Sequence, residues 1–103
     1  MERELKKGII EIFVLAVVLK EKSYGYKIVS DLKPVIKISE STLYPILRRL
    51  EKQNKLKTYN KVIDGRNRKY YEITKSGREE VEAFKADWKN VKEIYETLVG
   101  EKL

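Results

Sequence analysis

Neither cysteine nor histidine occurs anywhere in the 103 residues. Their absence removes disulfides, thiol chemistry, imidazole general-base catalysis and the common zinc sites. A Gly-rich phosphate loop and a convincing pair of carboxylates are missing as well, so nothing points to an enzyme and no cofactor or metal is expected. No apolar run is long enough to span a bilayer. The longest, "IIEIFVLAVVL" over residues 9–19, contains Glu11, whereas a span needs about 20 apolar residues. No signal-peptide cleavage pattern follows it. These absences lead to the expectation of a cytoplasmic protein with no membrane partner. Proline occurs only twice, and no Pro/Gly/Ser-rich linker, internal repeat or low-complexity tract interrupts the chain. The length fits one domain, or one domain with a protruding element.

What is abundant is charge, and it is unevenly placed. The formal net charge is +7. Residues 1–32 carry 6 basic and 5 acidic side chains, residues 33–78 carry 13 and 4, and residues 79–103 carry 4 and 7. A positive field concentrated in the middle of the chain implies a polyanionic partner.

The periodicity of the apolar residues changes along the chain. From about Glu4 to Leu19 it is helical, and apolar almost all round over the second half, which marks a helix buried on more than one side. Ser23 suits the N-cap of a short second helix, "YGYKIVSDL", which Pro34 ends. The stretch "SESTLYPILRRLEKQ" then opens with hydroxyls, and Leu43, Ile46, Leu47 and Leu50 form its apolar stripe. Pro45 belongs near a first turn, where its missing N–H costs nothing, so the start is expected at Ser41 or Thr42. Asn54 suits a left-handed helix stop. Next, "LKTYNKVI" and "RKYYEI" flank "DGRN", a β-hairpin signal over about 57–73. Thr74 is the expected N-cap of a long helix from Lys75 to Val99.

On that last helix Val81, Phe84, Trp88, Val91, Tyr95 and Leu98 recur at alternating spacings of 3 and 4. This is a heptad seam, the pattern of a helix packed lengthwise on another helix. The chain is too short to cover both this helix and a first helix apolar on most sides. A homodimer is therefore expected, built from the seam together with Ile9 and Phe13 of the first helix. The division is a head over residues 1–74 and a dimerisation helix over 75–103.

Three short helices followed by a hairpin describe a winged helix-turn-helix, so the fold expected is mainly α with a small β-hairpin. With its leucines inward, the helix at 41–53 turns Ser41, Tyr44, Arg48 and Lys52 outward. Hydroxyls at a helix start bond phosphates, and Arg48 or Arg49 can reach a guanine edge or a phosphate. Lys61, Arg66, Arg68 and Lys69 cluster around the hairpin turn, where phosphate contacts are expected. The partner implied is double-stranded DNA. A rival reading, a winged-helix adaptor that binds protein and no nucleic acid, leaves the basic outer face without a purpose.

The pieces "SYGYKIVSDL", "STLYPILRRLEKQ", "DGRNRKYYEIT" and "TKSGREEVEAFKADWKNV" resemble the PadR family of bacterial transcriptional regulators, and together they span most of residues 5–99. The single C-terminal helix resembles the smaller branch of that family. The resemblance implies a homodimer with a winged-helix head on each side, bound to an inverted-repeat operator and usually repressing nearby genes. It places Ser41, Thr42, Tyr44, Arg48 and Arg49 on the DNA-facing helix, Tyr26 and Lys27 at the backbone, and Arg66, Arg68 and Lys69 on the wing. It also implies that a small planar aromatic effector can stack on Trp88 at the dimer interface, where packing of the two indoles is the alternative role. Asn54 and Asn60 depart from the family pattern, which more often has glycine and an aromatic residue there.

Overall fold

The structure, a computed structural model, describes the backbone of residues 3–103 and the side chains from Gly8 onward. The elements run α1 (Arg3–Lys20), β1 (Ser23–Tyr24), α2 (Gly25–Leu32), α3 (Glu40–Lys52), β2 (Leu56–Ile63), β3 (Arg66–Ile73) and α4 (Lys75–Val99). The winged helix-turn-helix expected from the sequence is present, with the long final helix attached. Its sheet has three antiparallel strands in the order β1-β3-β2. The added strand, β1, revises one expectation. Ser23 is not the cap of α2: it is fully buried and pairs with Tyr71, and the residue at the cap position, Tyr24, makes no side-chain cap bond. Two residues cannot display the alternation by which a strand is recognised.

The core gathers Val14, Leu15 and Val18 of α1, Ile28, Val29 and Leu32 of α2, the stripe Leu43, Ile46, Leu47 and Leu50 of α3, and Leu56, Tyr71 and Ile73 of the sheet. Ile38 closes it from the loop between α2 and α3. The α3 stripe follows the spacing of one helical face. That face is buried while Arg48 and Lys52 stay outside.

The junctions show why the chain turns where it does. Ser39 caps α3, its Oγ accepting from the Thr42 N–H at 3.3 Å. The helix thus starts at Glu40, earlier than the proline argument placed it, and Pro45 lies in the second turn. Without a proline N–H the Ser41 carbonyl lacks its helical donor. Both residues are exposed, so water can supply it. At the other end, Asn54 adopts the left-handed conformation (φ 62°). The Lys55 N–H donates to the Leu50 carbonyl and the Asn54 N–H to the Glu51 carbonyl, the paired bonds of a Schellman stop. In the hairpin only Asp64 and Gly65 lie outside the strands, both with positive φ (51° and 75°). That is the two-residue turn whose twist matches the strands.

α4 begins against the end of α3. Thr74 Oγ1 accepts from the Gly77 N–H at 3.0 Å and donates to the Asn54 carbonyl at 2.7 Å. A Cβ at Gly77 would collide with the Lys55 carbonyl oxygen. Beyond this anchor α4 packs along α1, with Val81 on the core, before it leaves the head. The radius of gyration is 15.7 Å, where a compact domain of this length has about 13 Å. Gly77→Ala must push backbone from backbone, and it should lower stability by about 1–3 kcal/mol, as overpacking does. Urea denaturation of the two proteins reads that difference, and equal midpoints would show that the junction yields freely.

Candidate nucleic-acid interface

The outer face of α3 carries Ser41, Thr42, Arg48 and Lys52, all exposed. The Ser39 Oγ lies 2.9 Å from Ser41 Oγ and 3.1 Å from Thr42 Oγ1, so three hydroxyls gather at the helix start. Neither Arg48 nor Lys52 has an ion pair among the described residues. Tyr44 is half-buried rather than free, because its ring lies against Gly25 at the start of α2. A Cβ on residue 25 would meet that ring, so the glycine lets the two helices approach.

Arg49 stands apart from the other candidates. It lies one residue beyond Arg48, about 100° round the helix, and its guanidinium pairs with Glu11 of α1. The pair is partly buried and ties α3 to the first helix. In this structure Arg49 therefore does not share the exposed face of Arg48. Lys27 is also engaged, with Glu21 at 2.7 Å and Asp31 at 3.1 Å. The hydrogen bond to Glu21, then that to Asp31, raises its pKa further above the ordinary lysine value. Tyr26 beside it is exposed.

The wing is fastened to α3 by one carboxylate. Glu51 accepts from Lys69 Nζ and from Thr58 Oγ1, each at 3.0 Å. The Lys69 hydrogen bond is the main reason the Glu51 pKa is lowered, against the opposing effect of burial. The same bond raises the pKa of Lys69. Arg68 lies over the Tyr24 ring, 4.6 Å from its centroid, and Lys61 lies 5.6 Å from the centroid of Tyr70. Arg66, next to the turn, is exposed.

Between α2, α3 and β3 these residues line a cleft of about 370 Å³, with Tyr26, Tyr44, Arg48, Arg68 and Lys69 in its walls. The sequence reading missed a second group. Lys33, Lys37 and Ser39 line a cleft of about 590 Å³ at the start of α3, together with Thr42. Both lysines belong to the basic middle of the chain, which was the available signal. Their position beside the helix start emerges only once the loop is folded.

A family model described as the transcriptional regulator PadR-like family matches residues 14–83. The chain belongs to this family. The PadR-like match contains every residue of the basic interface and ends before Trp88, Val91, Tyr95 and Leu98. Among solved structures, smu.1704 from Streptococcus mutans is 41% identical, with a TM-score of 0.79 over 91% of this chain and 89% of that one. The PadR-like transcriptional regulator BC4206 from Bacillus cereus is 31% identical, with a TM-score of 0.83 over 96% and 99%. Bacillus subtilis PadR, solved in complex with operator DNA, shares the fold at 22% identity and a TM-score of 0.68, over 74% of this chain and 46% of that one.

Because the Glu51 pKa is lowered in the folded protein, its support for the wing is complete at neutral pH. That support disappears as pH falls through the lowered value. Glu72, held low first by Lys57 and then by Lys22, acts in the same direction. Hydrogen-exchange protection of β2 and β3 should therefore fall as pH drops below the ordinary glutamate value of about 4.3. Glu51→Gln should remove part of that dependence and leave the part due to Glu72. A profile identical in the variant would release the wing from Glu51.

Proposed function

We propose that this PadR-like regulator is a homodimeric repressor binding an inverted-repeat operator. In this reading α3 enters the major groove and the hairpin of β2 and β3 serves as the wing. The head over residues 1–74 holds the DNA, and residues 75–103 hold the partner subunit. The observation that carries it is the outer face of α3, where Arg48 and Lys52 are exposed and, among the described residues, unpaired beside a cluster of hydroxyls. The first turns of such a helix reach base edges while hydroxyls and lysines take phosphates. The operator complex of Bacillus subtilis PadR supports DNA as the partner of this shared fold. A head that only occupies DNA acts by excluding other proteins from it, which makes repression the direction proposed.

The dimer rests on α4. Trp88, Val91, Ile94, Tyr95, Leu98 and Val99 are all exposed, Leu98 by 80%. A contiguous apolar face of this extent marks an interaction site. Its heptad spacing fits a second copy of the same helix. Val81 packs on the core and Phe84 is half-buried, so these two serve the subunit's own head at least as much as an interface. Ile9 and Phe13 of α1 are partly exposed, Phe13 while packing in part on the subunit's own core, and their exposed parts are proposed to meet the partner. A twofold axis through the dimer matches an inverted repeat. Trp88, on the free part of the helix, is the proposed platform for a planar aromatic effector that releases the DNA.

Arg48→Ala should cost about 1–3 kcal/mol in binding to the DNA upstream of the gene, with little change for a scrambled duplex. Fluorescence anisotropy over a salt series measures both. An equal loss on the two duplexes would assign Arg48 to phosphate, and no binding to either would end the reading. Val91→Glu should yield monomers in sedimentation. It should also abolish any quenching of Trp88, the single tryptophan, by planar dyes beyond that of free tryptophan. An unchanged dimer would move the interface elsewhere.

A further inference from the structure

The strand register sets Tyr24, Tyr70 and Tyr59 side by side across β1, β3 and β2, on the sheet face opposite buried Tyr71 and Ile73. The Tyr24 and Tyr70 centroids are 5.3 Å apart, with the rings tilted by 57°. Those of Tyr70 and Tyr59 are 5.6 Å apart, with the rings stacked at 24°. β2 is an edge strand, so no further strand stands beside Tyr59, and its ring is exposed.

Charged residues border this row on both sides. Toward the tip stand the cross-strand partners Lys61 and Arg68, and toward the base Lys57 and Glu72. The end of α1 and the start of α4 form the opposite wall of a cleft of about 860 Å³, adding Glu21, Lys22, Lys75 and Arg78. Glu72 accepts from Lys57 at 2.9 Å and Lys22 at 3.3 Å, and Glu21 is engaged by Lys27. Lys61, Lys75 and Arg78 have no ion pair among the described residues. The cleft thus combines a stack of rings, open at one end, with three uncompensated cations.

A flat ring stacks on tyrosine whatever its substituents. Three cations ask for more negative charge than one carboxylate brings, and a phosphate with its several acceptor oxygens meets that demand. We propose that this cleft binds a nucleotide unit, its base continuing the tyrosine row at Tyr59 and its phosphate held by Lys61, Lys75 and Arg78. The unit is a free nucleotide or one residue of a single strand. A duplex keeps its base faces stacked inside and offers none to Tyr59.

The test titrates ¹⁵N-labelled protein at low salt with AMP, adenosine and ribose 5-phosphate, followed by amide shifts. AMP should move amides of residues 57–61, 68–72 and 75–78 and bind roughly ten-fold more tightly than either fragment. Tyr59→Leu, which keeps an apolar strand residue, should lose that margin, Arg78→Ala should bring AMP toward adenosine, and Lys102→Ala, which removes an exposed cation outside the cleft, should change neither. The variants' own spectra report whether they are folded. AMP no tighter than ribose 5-phosphate, shifts confined to other elements, or no shift at millimolar concentration would overturn the proposal. Displacement of AMP by blunt duplex at equal concentration would also overturn it, by giving the cleft to duplex DNA. A short single strand of deoxyadenylate that displaces AMP and binds more tightly assigns the site to a polymer strand, and weaker binding assigns it to the free nucleotide.

Discussion

A helix packed on one side has its rotation fixed, and α3 is packed by Leu43, Ile46, Leu47 and Leu50, none more than 3% exposed. Those side chains lie among residues of α1, α2 and β2. Turning the helix by one residue, about 100°, would bring Arg48 toward the core in place of a leucine, and an unpaired buried charge is far costlier than the packing it would gain. The outer face therefore needs no contacts of its own to be presented. This is why Ser41, Arg48 and Lys52 stay exposed on a head that small.

Electrostatics then sorts the basic residues into two groups. Glu11 engages Arg49, Glu51 engages Lys69, Glu72 engages Lys22 and Lys57, and Glu21 with Asp31 engages Lys27. Pairs at the surface contribute little to stability, about 0–1 kcal/mol each. Their effect is geometric: they aim side chains and join elements, as Glu51 joins β2 and β3 to α3. Among the described residues, the cations left without a carboxylate include Arg48 and Lys52 on the outer face of α3, Lys33 and Lys37 in the turn before it, and Lys61, Arg66 and Arg68 on the wing, with others along α4. A net charge spread evenly over the same head would give attraction without orientation.

Much of this was legible in the chain. The apolar period located α1, α3 and α4, and the Asp64-Gly65 pair located the hairpin. Asn54 and Thr74 marked their helix ends by chemistry that acts within a few residues. What stayed hidden depended on partners distant in sequence. Arg48 and Arg49 are adjacent and chemically alike, and only the approach of Glu11 from α1, 38 residues away, separates them. Ser23 read as a cap because nothing local announces that Tyr71 will pair with it. The heptad on α4 ran unbroken from Val81 to Leu98, yet its first residue packs on the core while its later ones are exposed. Periodicity reports a stripe and cannot say which neighbour covers each part of it.

That shared stripe has a mechanical consequence. Val81 on the head and Val91 on the free part lie on the same face of one helix, which continues from Lys75 to Val99 with no proline and no glycine after Gly77. Kinks need such a break or an inserted side chain, and none is present over this length. The Thr74 bond to the Asn54 carbonyl and the close approach of Gly77 to Lys55 fasten its start to the end of α3. The direction of α4 is thus set by its packing on α1 and by this fastening to the end of α3, the helix that carries Arg48. In the proposed dimer, a change in how the two α4 helices pack would move the two α3 helices relative to one another as rigid bodies. The effector proposed at Trp88 would then act on the DNA through half-site spacing rather than through any change within a head.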